Sequence, residues 1–254
     1  MPPLVYETVA WLRHYLCVPI AMLPGESELT PVQRNAYAAP IAGAVVGASG
    51  GLVLLVAALL HAPAFLAAAL AVLTLVLVTC GRGEQALAAS AEKLGRGAAP
   101  EEVPVGSRLL SYGLVAIVLS VLVRVGALDG LASLGAWPAA LALVGAAAAA
   151  RAATIAFHII RPAATPDTEG AAPPVDTISL QWVAIVGIAI GIVTVFPFFG
   201  IGAAIAGLVG AIAAAAIMAT FVSRAGESDT ASAASDLVAE TTFLIAVLAF
   251  ATRV

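Results

Sequence analysis

Between Thr79 and Gly113 the stretch TCGRGEQALAASAEKLGRGAAPEEVPVGSRLLSYG gathers Arg82, Glu84, Glu92, Lys93, Arg96, Glu101, Glu102 and Arg108 into a chain that is otherwise oily. Carboxylates offer hard oxygen ligands to a cation such as Mg2+, and arginines offer forked donors to phosphate. Glu84, Ala88 and Glu92 stand four apart, which in a helix puts them on one face with Gln85 and Ala89 alongside. That face can hold a hydrated divalent cation. A second polar cluster, SRAGESDTASAASDLVAE from Ser223 to Glu240, brings Asp229, Asp236 and Glu240 close to one helical face. Its bland reading is the first turn of a last helix, with Ser228, Asp229 or Ser235 as cap. A charged loop between two membrane spans is likewise, on pattern alone, a solvated loop.

The elements that must position these residues are read from composition and run length. Of 254 residues 62% are hydrophobic and 10% charged, with a mean hydropathy of +1.07. Such a chain is an all-α polytopic membrane helix bundle. Seven spans are expected, at about 36–60, 64–80, 109–128, 137–160, 178–196, 201–222 and 237–252, in one integral membrane domain covering 1–254. The surest is the first, because Ala36 to Leu60 holds no charge and crosses a ~30 Å hydrocarbon core at ~1.5 Å per residue. Gly43 and Gly47 within it form a row of small residues that lets another helix approach closely. Tyr6 to Met22 carries Glu7, Arg13 and His14 and reads as an interfacial helix, with no signal peptide, since a basic leader is missing. His61 reads as a turn histidine. Cys17 and Cys80 have neither close spacing nor a histidine partner and read as small buried residues. A net charge of −4 excludes a nucleic-acid partner, which calls for a basic stripe.

Orientation follows from the basic residues. With the N-terminus inside, Arg13, Arg34, Arg82, Lys93, Arg96, Arg108, Arg161 and Arg224 fall on the cytoplasmic side, leaving Arg253 and a snorkelling Arg124 outside. Both acidic clusters then face one compartment, where a joint site is geometrically allowed. Arg151 lies inside the fourth span, and an arginine at that depth faces either a structural partner or a wet cavity.

The segment LVLVTCGRGEQALAASAEKLGRG resembles the first cytoplasmic loop of the cobalamin synthase family (adenosylcobinamide-GDP ribazoletransferase), whose signature reads His-x-Asp-Gly-Leu-Ala-Asp-x-x-Asp-Gly. Lead, length and the Leu87-Ala88 centre match, whereas Gly83 stands at the histidine and Gln85, Ala89 and Glu92 stand at the three aspartates. GSRLLSYGLVAIVLSVLVRVGAL, from Gly106, is similar to the family's Asp-Ser-Arg segment, keeping Ser107 and Arg108. LRHYLCVPI resembles its N-terminal segment, with Cys17 in place of an arginine, and AAAAARAATIAFHIIRP a helix carrying a Ser-Arg pair. The cluster before the last span is similar to its C-terminal Gly-Asp segment, where Asp229 matches and Glu240 is a shifted substitute for a later glutamate. The resemblance covers most of the chain. It implies a multi-pass transferase of the bacterial inner membrane, surrounded by lipid, that joins adenosylcobinamide-GDP to alpha-ribazole or its phosphate and releases GMP with Mg2+ as cofactor. The metal would lie on Glu84, Gln85, Glu92 and Asp229. Arg108 and Asp229 would be catalytic, and Ser107, Arg108 and Arg151 would bind substrate. The thinned acidic signature also admits a non-catalytic relative acting as a binding or scaffold subunit. A small transporter is the third reading, resting on Arg151 and the many glycines.

Overall fold

A computed structural model describes residues 3–17, 36–96, 112–160, 177–223 and 228–253. Their regular structure is helical throughout: α1 (Pro3–Tyr15), α2 (Ala38–Leu59), α3 (Ala64–Val78), α4 (Arg82–Arg96), α5 (Tyr112–Leu134), α6 (Ala136–Ile160), α7 (Thr177–Ser223) and α8 (Ser228–Ala251). Among the described residues five helices are long and apolar enough to cross a membrane, or six if the bent pair α3 and α4 counts as one crossing. The protein is a polytopic membrane helix bundle. Large aliphatic side chains such as Leu52, Leu66, Leu77, Leu119, Val193 and Val209 point outward, as a bundle in hydrocarbon allows.

Boundaries follow local chemistry. After α2 the chain turns at exposed His61, whose φ of 60° is left-handed, and Pro63 opens α3. α5 runs on to Leu134, past the expected end at Leu128, and α8 starts at Ser228, well before the expected Leu237. The two spans expected at 178–196 and 201–222 are the two arms of the 47-residue α7, which breaks at Gly200. At ~1.5 Å per residue, α7 is more than twice as long as one crossing needs. Gly200 has φ 78° and ψ 171°, a conformation closed to residues with a Cβ. The chain folds back there: a Cβ on Gly191 would sit 3.0 Å from Leu208, and Gly191 and Gly207 both abut the Phe243 ring.

α6 occupies the middle. Its alanines from Ala139 to Ala153 are almost all buried, and it packs on α2, α7 and α8. The seam with α2 is built from absent side chains: a Cβ on Gly47 would come within 2.8 Å of the Leu143 carbonyl oxygen and 2.9 Å of Ala147 Cβ. α1 docks on α2 through Trp11, 2% exposed, against Ala38, Ala39 and Ala42, with Tyr15 stacked on Trp11.

Two expectations are corrected. Cys17 and Cys80 are exposed and joined by a disulfide, 63 positions apart in sequence; spacing hides them because they meet only when α1 lies along the end of α3, where Cys17 N–H also donates to the Val78 carbonyl. Arg124 is not at an outer helix end. It lies 2% exposed and faces inward from the middle of α5, because α4 and α8 bring Glu84 and Glu240, the carboxylate partners that an arginine in apolar surroundings requires.

Candidate polar cavity at a broken helix

α3 stops at Thr79, and Cys80 (φ 51°) and Gly81 (φ 62°) are two successive left-handed residues that turn the chain by 85° into α4. Backbone that leaves the helical pattern at membrane depth needs protein or a polar cavity beside it. Here the break borders a cavity of about 60 Å3 lined by Thr79, Arg82, Glu84, Arg124, Arg151, Asp236 and Glu240, with His14 and Tyr15 closing it from α1. Arg124 is twelve residues into α5 and Glu240 twelve into α8, about 18 Å from those helix starts at ~1.5 Å per residue. The cavity therefore lies about halfway along α5 and α8, beside the start of α4.

Four charged side chains form its floor, none more than 7% exposed. Arg124 Nη2 donates to Glu84 Oε1, and its Nη1 lies 3.7 Å from Glu240 Oε1. Arg151 Nη1 donates to Glu240 Oε2 at 3.3 Å and to the Ala147 carbonyl at 3.0 Å. The Arg151 guanidinium also sits over the Tyr15 ring, 5.1 Å from its centroid, a cation–π contact. Arg82 donates to the His14 carbonyl, tying α1 to the break. Burial, aided by the charge of Asp236, pushes the Tyr15 phenol above its ordinary range, against an opposing pull from Arg151 and Arg82. The Nε–H groups of Arg124 and Arg151 find no hydrogen-bond acceptor among the described residues. Two donors are thus left to whatever fills the cavity.

The residues expected from sequence part company here. Glu84 and Arg151 line the cavity. Gln85 is exposed on α4, and its Nε2 donates to the Cys80 carbonyl at 3.1 Å. Glu92, two helical turns on, accepts the Gly113 N–H at 3.0 Å and so clasps α4 to the start of α5. Asp229 belongs to the first turn of α8, eleven positions before Glu240. Ser107 and Arg108, with Glu101 and Glu102, lie outside the described residues. The two acidic clusters do meet, through Glu84 and Glu240 across Arg124. Sequence reasoning missed Arg124 as a site residue. The signal was available: its position in the middle of an apolar run demands a partner as strongly as that of Arg151 does.

The Mg2+ that the resemblance implies does not fit this donor set. Among the described residues no three His, Cys, Asp or Glu side chains are grouped to hold a metal, and Glu84 and Glu240 are already bound by guanidinium groups. What the cavity offers is three arginines and three carboxylates beside a helix break, suited to polar or anionic groups that bring their own counter-charge.

A sequence profile described as cobalamin-5-phosphate synthase matches residues 9–249. The chain is 36% identical over 252 residues to an adenosylcobinamide-GDP ribazoletransferase of Azorhizobium caulinodans, covering 95% of each protein. It is 38% identical over 258 aligned positions to one of Xanthobacter autotrophicus, covering 97% of each, and 35% identical to one of Bradyrhizobium diazoefficiens, covering 70% of this chain. No solved structure matches it.

Proposed function

Because the chain belongs to the cobalamin-5-phosphate synthase family, we propose that it is an adenosylcobinamide-GDP ribazoletransferase working in the cytoplasmic membrane of a bacterium. The observation that carries this reading is the likeness over 95% of both chains to a relative of that name. In the reaction a ribazole hydroxyl, or that of its phosphate, forms a bond to the phosphorus nearest the cobinamide. The diphosphate bridge breaks, GMP leaves, and the hydroxyl proton is lost to a base.

The geometry supports positioning by hydrogen-bond donors as the protein's contribution. Arg82, Arg124 and Arg151 line the polar cavity beside the helix break, and the free Nε–H donors of the last two suit phosphate oxygens. In this reading the diphosphate end of the substrate approaches the cavity, while the bulky cobinamide stays at the cytoplasmic face. Ser107 and Arg108, in the segment joining α4 to α5, are our further candidates for phosphate contact, and Asp229 for a polar contact at the start of α8. Mg2+ enters this reading as a companion of the substrate diphosphate, the form in which that ion commonly reaches such sites. Lipid covers the outward-facing aliphatic side chains.

The full chain in nanodiscs, given adenosylcobinamide-GDP, alpha-ribazole and Mg2+, is expected to release GMP in step with loss of the ribazole. Absence of GMP release with both ribazole and its phosphate would overturn the assignment.

A further inference from the structure

We propose that Arg124 is an internal counter-cation, occupying the place between Glu84 and Glu240 that a bridging divalent ion would take, so that this cavity holds no resident metal. The two carboxylates come from different helices, α4 and α8, and both are buried. Like charges brought that close need a cation between them. A single guanidinium supplies it, with Nη2 on Glu84 and Nη1 toward Glu240, while Arg151 takes the other oxygen of Glu240.

Charge balance points the same way. The lining holds Arg82, Arg124 and Arg151 against Glu84, Asp236 and Glu240, which sum to zero with His14 neutral. A resident divalent ion would add two positive charges that nothing in the lining compensates, at a depth where unpaired charge is costly. Nor can Arg124 step aside, because its buried neighbours on α5 are Val125, Ala127 and Leu128, which offer no acceptor side chain. Mg2+ would also need near-octahedral oxygen ligands, whereas Glu84 Oε1 and Glu240 Oε2 are bound by guanidinium groups and the remaining Glu240 Oε1 has the Arg124 Nη1 cation 3.7 Å away.

The consequence is a site that appears when the arginine is removed. Mn2+ is the probe, titrated by electron paramagnetic resonance into the full chain in nanodiscs, beside Glu84→Gln, Glu240→Gln and Arg124→Ala. Wild type is expected to show no Mn2+ binding that either glutamate substitution removes. Arg124→Ala is expected to gain a Mn2+ site, tighter by about tenfold or more, since a positive charge within a few ångströms has been withdrawn. Mn2+ should then raise the unfolding temperature of Arg124→Ala and leave that of wild type unchanged. Wild-type Mn2+ binding abolished by Glu84→Gln or Glu240→Gln overturns the inference, as does a folded Arg124→Ala that gains no site. If Arg124→Ala fails to fold, the wild-type and glutamate titrations decide alone. Wild-type binding that survives both glutamate substitutions lies elsewhere and supports it. The readout is metal binding without substrate, so a failed GMP-release assay would count against the transferase and leave this inference standing.

Discussion

Two junctions hold this bundle together by opposite means. Along the seam of α2 and α6, Gly47 and Gly51 face Leu143, Ala147 and Ala140, and the helices touch because nothing projects between them. At the junction of α4, α5 and α8, long charged side chains fill the gap and bind one another. The first is limited by volume and indifferent to charge. The second tolerates no loss of charge, because each partner left behind is a buried ion without its counter-charge. In a membrane, where apolar burial gives helices little reason to prefer one another to lipid, these are two separate sources of specificity, and substitutions should separate them.

The largest effect is expected at the polar junction. Arg124→Met leaves Glu84 and part of Glu240 buried without a counter-charge, a loss of about 3–5 kcal/mol, read from unfolding in mixed detergent. Pairing it with Glu84→Leu should restore part of that loss, and a strictly additive double variant would show that the two side chains are not coupled.

The seam should respond next. Gly47→Ala pushes a methyl against the Leu143 carbonyl and Ala147 and is expected to cost about 1–3 kcal/mol. Gly126→Ala, on α5, meets nothing within 4 Å and should equal wild type or exceed it by up to about 1 kcal/mol. If the two alanines behave alike, close approach is not what the seam depends on.

Glu92 tests whether every acid of the α4 face belongs to the polar junction. It holds the Gly113 N–H outside the cavity, so Glu92→Gln should cost about 1 kcal/mol of stability and reduce GMP release less than Glu84→Gln does. A greater loss of activity at Glu92 would move the site along α4.

The smallest effect concerns pH. The Tyr15 phenol is raised above its ordinary value of 10.0 in the folded protein, foremost by burial. The folded state therefore keeps its proton where the unfolded chain has lost it, and stability falls as pH rises past about 10. Tyr15→Phe retains the ring over Arg151 and should flatten that alkaline fall in unfolding temperature; an unchanged slope would show that Tyr15 does not cause it.

Much of the bundle was legible before any coordinates. The uncharged run from Ala36 to Leu60 became α2, the row at Gly43 and Gly47 became its seam with α6, and Arg151 was marked by its depth. The site was legible in part: Glu84 and Arg151 line the cavity, while Gln85 and Glu92 share a helix with Glu84 and turn to other partners. A helical face fixes which residues are neighbours along α4, not which helix lies opposite each of them. Arg124 was misplaced because a count of basic residues assigns sides of a membrane and is blind to a partner 40 positions away.

What the sequence determined by itself is what depends on runs and periods: the membrane class, the apolar runs that became long helices and the small-residue seam, all set by the length of a hydrocarbon core and the pitch of a helix. Only the tertiary structure decided the pairing of Cys17 with Cys80 and the joining of Glu84, Arg124, Glu240 and Arg151. Each rests on residues from different segments meeting at a few ångströms, and buried charge is so costly when unpaired that packing alone selects which ions face each other.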